Sequence, residues 1–242
     1  MAVDTPGTES QPATPPPQRV AYEGVIDRIA EIGPETRSFF LRLRAGQPFR
    51  FTPGQFISCL LPVGGETVIR PYSLASDPDA PLLEICLNLV ANGSGSHYLF
   101  GLEVGDVIRF TGPWGTFTFE KPVAAECVFI AEGTGIAPIR PMVKRALTGS
   151  THPVRLHHAA PTTTRLLYAA EFEAAARAHA GFSFEPLTAL PLAEVIERRY
   201  VSADSDRSRR FYICGVGEIV PQLRDLLRRA GYARRAVQYE KW

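Results

Sequence analysis

Short apolar or alternating stretches follow one another from residue 20 to about residue 122, and turns rich in Gly and Pro separate them. The pattern predicts strands at residues 20–28, 40–44, 55–61, 82–90, 107–110 and 115–119. It also predicts one short helix near residues 96–102. Strands that recur every ~10–15 residues between such turns are typical of an antiparallel barrel or sandwich.

The rhythm changes after residue 122, where apolar runs begin to alternate with helical segments. The pattern predicts strands at residues 127–131, 154–159, 182–187, 211–214 and 236–239, and helices at residues 137–147, 166–180, 192–199 and 219–230. Such alternation indicates βαβ units and a parallel sheet. Residues 1–18 contain five prolines, and their only large apolar side chains are one Met and one Val, which predicts a disordered tail.

The sequence therefore predicts two domains after the tail: an antiparallel Greek-key β-barrel over residues 19–122 and an α/β domain with a parallel sheet over residues 123–242. Residues 1–122 carry 9 basic and 13 acidic side chains (net −4), and residues 123–242 carry 17 and 12 (net +5). A positive α/β half suits an anionic ligand. The net charge of the whole chain is only +1, which argues against a nucleic-acid binder that relies on bulk charge.

The four cysteines are widely spaced and none belongs to a CxxC pair. We therefore expect neither a metal or iron–sulfur site nor a disulfide framework. No run of about 18 apolar residues occurs, so no membrane span is expected. The first residues lack the basic and apolar segments of a signal peptide, and this favours a cytoplasmic location.

The most informative motif of the second half is AEGTGIAP at residues 131–138, between a predicted buried strand and a predicted helix. Gly133 and Gly135 allow a tight turn and a close approach of the backbone to a pyrophosphate, whose charge the free N–H groups of the helix start would favour. Pro138 suits the first helical turn. It also replaces the third glycine of the full dinucleotide motif, and a lone G-x-G is often only a turn. The strand–turn–helix context favours dinucleotide binding.

In the first half, the segment RPYS at residues 70–73 follows a turn. Arg70 offers a planar fork for a phosphate, Tyr72 a flat face for a heteroaromatic ring, and Ser73 a small donor and acceptor. Alternation along a strand puts Arg70 and Tyr72 on the same side, where they can share a ligand. The alternative is an ordinary strand with a surface arginine and a core tyrosine.

A second Gly/Ser-rich loop, NGSGSH at residues 92–97, leads into the predicted short helix. It is interpreted either as a second anion site or as a helix start capped by Ser94 or Ser96. Cys214 and Gly215 end a predicted strand, at the edge where open α/β sheets bind ligands, although a free Cys is also a common core residue.

Two histidines and a tryptophan lie in or close to predicted strands of the second half. The adjacent His157 and His158 have no acidic residue near them in the sequence, and we assign them no role. Trp242, the last residue printed, either packs on the body of the protein or covers a ligand.

Together these segments resemble the ferredoxin–NADP reductase superfamily, and within it the FAD/NAD(P)H reductase modules of bacterial multicomponent oxygenases. The resemblance rests on RPYS at residues 70–73, GSGS at 93–96, GPWGTF at 112–117, GTGIAP at 133–138, CG at 214–215 and E-x-W at 240–242. It covers nearly the whole chain after the tail. Two positions depart from it, since Val216 replaces a usual Pro and Ile219 stands where Met is common.

The resemblance implies a site for FAD in the barrel and a site for the nicotinamide nucleotide in the α/β domain. It places the FAD pyrophosphate at Arg70, the isoalloxazine ring against Tyr72, and flavin N5 near Ser73. The full set of implied cofactor-binding residues is Arg70, Pro71, Tyr72, Ser73, Gly93, Gly95, Ser96, Gly133, Thr134, Gly135, Ala137, Pro138, Thr188, Cys214, Gly215 and Trp242. The implied catalytic residues are Ser73, Cys214 and Glu240.

The activity that the resemblance implies is an FAD-dependent NAD(P)H oxidoreductase that passes electrons to a separate one-electron acceptor, namely a ferredoxin, a flavodoxin or an oxygenase component. The alternative is a non-catalytic FAD-binding subunit of a larger complex. In plant-type reductases a Ser-Arg pair after the third α/β strand binds the 2′-phosphate of NADPH, and here Thr188 and Ala189 occupy that place, which favours NADH. Arg165, and the lack of an acidic residue after the second strand, keep NADPH open.

Overall fold

The structure is a computed structural model that describes residues 21–44, 48–121, 124–189, 191–203 and 205–242. The tail expected over residues 1–18 and the domain boundary expected between residues 122 and 123 lie outside these ranges.

Antiparallel strands in the order β4-β3-β6-β1-β2-β5 build the first half of the described chain. A bridge between Leu74 and Ile85 joins the two edge strands, so the sheet closes on itself. The antiparallel prediction is therefore confirmed. The elements are β1 (Ala21–Gly33), β2 (Thr36–Leu43), β3 (Phe56–Val63), β4 (Glu66–Ser73), β5 (Leu83–Asn88), α1 (Ser94–Phe100) and β6 (Val107–Trp114).

The strand predicted at residues 115–119 is wrong. Phe117 and Phe119 are buried, and the Phe119 ring lies 5.6 Å from that of Phe129 and 5.2 Å from that of Tyr212, both in the second half of the chain. This segment is therefore held by aromatic packing between the two halves rather than by a hydrogen-bonded ladder. Its alternation of Thr and Phe resembles a strand because every second side chain is buried.

Parallel strands in the order β11-β10-β7-β8-β9 build the second half, with helices between them. The chain runs outward from β7 to β9 and then returns to the other side of β7, so the strand order reverses between β7 and β10. This confirms the predicted α/β architecture. The elements are β7 (Cys127–Glu132), α2 (Ile136–Leu147), β8 (Val154–Ala159), α3 (Ala169–Ala178), β9 (Phe182–Leu187), α4 (Leu192–Glu197), β10 (Arg210–Gly215), α5 (Ile219–Arg229) and β11 (Val237–Lys241).

Two helices differ from their predictions by three residues at one end. The helix expected from residue 166 begins only at Ala169, because residues 163–165 form a 3-10 turn and Tyr168 has a positive φ of 58°. Residues 198–202 continue α4 as a wider π-helical turn. In the described ranges, no helix is long and apolar enough to cross a membrane.

Candidate active site

A cavity of about 430 Å³ opens where β4 and the loop before α1 face the turn after β7. We call it the seam cleft, because it lies between the barrel and the α/β half. Ten of the residues that the sequence assigns to cofactor binding line it: Arg70, Pro71, Tyr72, Ser73, Gly93, Gly95, Ser96, Thr134, Ala137 and Trp242. Sequence reasoning missed five others, which are Cys86, Leu87, Asn88, Val90 and Val216.

The carboxyl-terminal half of β4 supplies the barrel side of the cleft. Arg70 and Tyr72 lie two residues apart on this strand and line the same cavity. Gly95 lets the Arg70 stem pass, since a Cβ at Gly95 would come within 2.8 Å of Arg70 Cγ. Burial raises the pKa of the Tyr72 phenol, which therefore stays neutral, and Ser73 is only 7% exposed. The site therefore combines an accessible guanidinium with a half-buried neutral ring.

The Gly/Ser loop is shaped by Ser96. Its Oγ accepts a hydrogen bond from the Val90 N–H at 3.0 Å and donates one to the Gly93 carbonyl at 2.9 Å. The capping alternative is wrong, because Gly93 occupies the N-cap and no side chain makes a cap hydrogen bond there. Ser96 fixes the loop, and the loop residues then face the cleft.

The turn after β7 supplies the other side of the cleft. Gly133 has a positive φ of 54° with open space around it, whereas Gly135 packs directly on the Cys214 carbonyl and leaves no room for a side chain. Gly135 and the buried Pro138 thus shape the packing of the turn and α2 and do not line the cavity. Thr134 is the residue of the turn that does.

His158, to which we assigned no role from the sequence, contacts the backbone of this turn. Its Nε2 lies 3.1 Å from the Gly133 carbonyl oxygen, and the side chain is fully buried. Burial lowers the pKa of His158 to about 4, so the ring is neutral and donates to the carbonyl. The sequence does hold a signal for this role: His158 lies near the end of β8, and β8 follows the strand that leads into the glycine turn.

His157 corrects a second expectation, because it does have an acidic partner. Its Nδ1 lies 2.9 Å from Glu185 Oε2, and its Nε2 lies 2.7 Å from the Tyr200 hydroxyl. Glu185 is 28 residues away in sequence but directly opposite His157 in the β8–β9 ladder. Strand register brings the two together, and this register cannot be seen from sequence spacing.

The carboxyl ends of β10 and β11 border the cleft. Cys214 is 1% exposed, and burial raises the pKa of its thiol far above the ordinary value, so it remains protonated. Burial also raises the pKa of Glu240 to about 7, and its Oε2 is buried with no hydrogen-bond partner among the residues that the structure describes. The Trp242 ring packs edge-on against Phe56 at 5.6 Å and also lines the cleft. The first alternative for Trp242, packing on the body of the protein, is therefore confirmed, and its covering a ligand stays a prediction.

Thr188 lies apart from these residues, in a second cavity of about 380 Å³ that we call the strand-end cavity. Arg165 lines neither cavity: its guanidinium is 3.1 Å from the Glu35 carboxylate of the barrel half. All four cysteines are buried and free. In the described part of the chain, no three His, Cys, Asp or Glu side chains are grouped so as to hold a metal ion.

Comparison with known proteins assigns both halves. Residues 23–119 match the family model of oxidoreductase FAD-binding domains, and residues 129–225 match that of oxidoreductase NAD-binding domains. Ferredoxin–NADP reductase B of Sorangium cellulosum is 30% identical over 241 residues, covering 93% of this chain and 99% of that protein. The chain belongs to the ferredoxin–NADP reductase superfamily. It is therefore an FAD-dependent oxidoreductase with a nicotinamide-nucleotide domain.

Other similar proteins are longer. The reductase component of propane 2-monooxygenase from Rhodococcus jostii is 28% identical, and the alignment covers 92% of this chain but 65% of that one. The reductase component of phenol 2-monooxygenase from Pseudomonas is 29% identical, with 68% of this chain and 46% of that protein covered. The chain thus spans about half to two thirds of these oxygenase reductases.

Solved structures agree on the fold. The Amycolatopsis cytochrome P450 reductase GcoB superposes with a TM-score of 0.79 at 25% identity, covering 92% of this chain and 69% of the other. A Neisseria gonorrhoeae ferredoxin–NADP⁺ reductase with bound FAD and NADP gives a TM-score of 0.75 at 22% identity, covering 92% and 98%. The second likeness supports the two-domain arrangement alone.

Proposed function

We propose that this reductase takes a hydride from NADH at the seam cleft and feeds electrons singly to a separate carrier protein. The observation that carries the proposal is the cleft itself, in which the RPYS strand, the Gly/Ser loop and Thr134 line one cavity. FAD, when bound, converts a two-electron donor into a one-electron supply. The residues of the chain then have to bind, orient and shield it.

The barrel side of the cleft fits a flavin dinucleotide. One N–H group of Arg70 donates to the neighbouring Ile69 carbonyl at 2.9 Å. The other N–H groups of its exposed guanidinium can donate to a pyrophosphate. Tyr72 offers a ring to stack on the isoalloxazine. Gly93 and Gly95 line the cleft with backbone alone, because Ser96 and Arg70 occupy the space that their side chains would need, and we assign this backbone to the phosphates. Ser73 offers a hydroxyl to the flavin edge.

The α/β side fits the nicotinamide end of the coenzyme. We assign Thr134 and Ala137 to the nucleotide backbone and Trp242 to the face of the cleft where nicotinamide enters. Glu240 carries a buried carboxylate oxygen that lacks a hydrogen-bond partner, which is what an incoming carboxamide would supply. The Cys214 thiol contributes a neutral, apolar wall beside it.

NADH is the favoured coenzyme on the geometry of this chain. Among the described residues that line the strand-end cavity, Thr188 is present but no Lys or Arg is. Arg165 forms an ion pair with Glu35 instead. The Sorangium relative is named for NADP, so the preference has to be measured on this protein. Steady-state kcat/KM with both coenzymes is expected to favour NADH. A preference of tenfold or more for NADPH overturns this assignment.

We propose the electron acceptor from the names of the proteins to which the chain is similar. The relative that it spans almost completely is named a ferredoxin–NADP reductase, and others are named as reductase components of oxygenases. We therefore rank a ferredoxin first, then an oxygenase component, then a flavodoxin. Parallel assays with a purified [2Fe–2S] ferredoxin and a flavodoxin, each followed by its own visible spectrum, rank the acceptors directly.

One anaerobic titration tests the core of the proposal and separates it from a non-catalytic flavin-binding subunit. The purified protein is expected to be yellow, and one equivalent of NADH is expected to bleach the flavin band. NAD⁺ serves as the control, because it occupies the same cleft but has no hydride to give. A flavin that stays oxidised with both NADH and NADPH would favour the non-catalytic alternative.

A further inference from the structure

The strand-end cavity contains an acidic side chain that the sequence motifs did not single out. Its volume is about 380 Å³, and its walls are formed by the ends of β7, β8 and β9 and by the first turns of α4 and α5. Its polar side chains in the described chain are Glu132, Thr188 and Gln222, and the other lining residues are Ala, Pro, Leu and Ile.

The cavity lies where a dinucleotide is expected to cross the sheet. Glu132 is the last residue of β7, the central strand, next to the point where the strand order reverses. Ligands of open α/β sheets bind in the crevice at this point, outside the carboxyl ends of the strands. Thr188 follows β9, two strands away from β7, and lines the same cavity as Glu132.

Glu132 brings an uncompensated negative charge to this crevice. Its side chain lies over Gly215, where a Cβ would come within 3.5 Å of Glu132 Oε2, and the Val216 N–H donates to its carboxylate. Partial burial raises the pKa of Glu132, and the Val216 hydrogen bond opposes that rise by stabilising the charged form. Within the described residues, no Lys, Arg or His lies at ion-pair distance from it.

We propose that Glu132 determines the coenzyme preference, accepting a hydrogen bond from a ribose hydroxyl of NADH and repelling the 2′-phosphate of NADPH. The proposal deepens the NADH assignment and rests on the proposed function. A carboxylate in such a place favours NADH in two ways, because it accepts a hydrogen bond from the ribose diol and repels the 2′-phosphate dianion of NADPH. It also supplies, from the first strand of the sheet, the acidic residue that the sequence lacks after the second.

Binding of adenosine halves tests the proposal without using turnover. Isothermal titration of FAD-loaded protein with ADP and with 2′,5′-ADP gives a preference ratio for the wild type, Glu132→Gln and Glu132→Ala. Glu132→Gln keeps the size of the side chain and is expected to tighten 2′,5′-ADP at least tenfold while changing ADP less than threefold. Glu132→Ala is expected to tighten 2′,5′-ADP similarly and to weaken ADP.

Glu218→Gln is the matched control. Glu218 lies on the loop before α5, is turned to solvent in an ion pair with Lys241, and does not line the cavity. It is expected to leave the ratio unchanged, which supports a local effect. Equal tightening of both ligands in Glu132→Gln, or no change in either, overturns the proposal. Failure of the proposed function looks different: neither coenzyme reduces the flavin of the wild type, whatever the binding ratio.

Discussion

The two sides of the seam between the barrel and the α/β half are built on opposite principles. On one side, the Arg140 guanidinium reaches from α2 to Glu84 on β5 at 2.6 Å and to Glu171 on α3 at 2.8 Å. Ser38 and Tyr168 hydroxyls donate to the same Glu84 carboxylate at 2.6 and 2.8 Å. We call these five residues the latch.

On the other side lies the seam cleft, where Ser96 and Asn88 are hydrogen-bonded but Arg70 and the bordering Glu240 are left without side-chain partners among the described residues. In the described part of the chain, Glu240 has a buried oxygen with no hydrogen bond, and the one acceptor of the Arg70 side chain is the neighbouring Ile69 carbonyl. Saturated buried polar networks hold a structure in one arrangement, whereas unsatisfied groups cost stability and are kept where a ligand will complete them. The difference suggests that the latch fixes the relation of the domains and the cleft receives the cofactors.

The latch is tested most severely by Arg140→Met. Burial disfavours the guanidinium, but the Glu171 hydrogen bond and the Glu84 charge outweigh it and raise the pKa of Arg140 above its usual range. Removing Arg140 leaves the Glu84 carboxylate, whose side chain is 4% exposed, without a counter-charge. We expect a loss of about 3–5 kcal/mol in the free energy of unfolding, measured by urea denaturation.

Two further variants sharpen this result. Arg42→Met breaks an ion pair with Asp27 whose side chains are 59% and 41% exposed, and it is expected to cost less than about 1 kcal/mol. Adding Glu84→Leu to Arg140→Met removes the stranded charge and is expected to recover most of the loss. If Arg140→Met unfolds as easily as Arg42→Met, the latch does not hold the seam.

The cleft was largely predictable from sequence, and the latch was not. The residues RPYS, GSGS and GTG are contiguous motifs whose spacing carries their chemistry. Glu84 and Arg140 are 56 residues apart, and nothing local distinguishes them from surface charges. The His157–Glu185 contact is hidden in the same way, because it arises from strand register. Periodicity located the strands, but it failed at residues 115–119, where packing between the halves imitates a strand.

The cleft side is probed next by Arg70→Ala. A pyrophosphate would lose a charge-assisted partner worth about 1.5–3 kcal/mol, so we expect FAD affinity to fall by about 10- to 150-fold. Titration of the apoprotein by tryptophan or flavin fluorescence measures it. Arg109→Ala is the control, since Arg109 is an exposed arginine of β6 that does not line the cleft. Equal FAD affinity in wild type and Arg70→Ala would remove Arg70 from the site.

Ser73→Ala is expected to have a smaller effect, on rate rather than on binding. If the Ser73 hydroxyl steadies the reacting edge of the flavin, its loss is expected to slow flavin reduction by NADH about tenfold, or 1.4 kcal/mol, with FAD content unchanged. Stopped-flow absorbance reads this rate. Ser94→Ala changes a nearby exposed serine outside the cavity and is expected to have no effect. Unaltered reduction in Ser73→Ala would show that the hydroxyl is a bystander.

The smallest effect, and the one that bears most directly on the comparison, concerns the pH dependence of stability at Glu240. Burial raises the pKa of Glu240 to about 7, against 4.5 for the free side chain. Between these values the folded protein binds a proton that the unfolded chain has released, so this group lowers stability as the pH rises from about 4.5 to 7.

Glu240→Gln removes that dependence. We expect the variant to match the wild type in Tm at pH 4.5 and to exceed it by about 2–4 °C at pH 8, measured by calorimetry at matched ionic strength. Other titrating groups, including His158 with its pKa lowered to about 4, act on both proteins and cancel in the difference. NAD⁺, if it satisfies the buried oxygen, is expected to narrow the gap at pH 8. A Tm difference that stays constant across the pH range would mean that Glu240 is solvated in the folded protein. The contrast between the hydrogen-bonded latch and the unsatisfied groups at the cleft would then lose its main support.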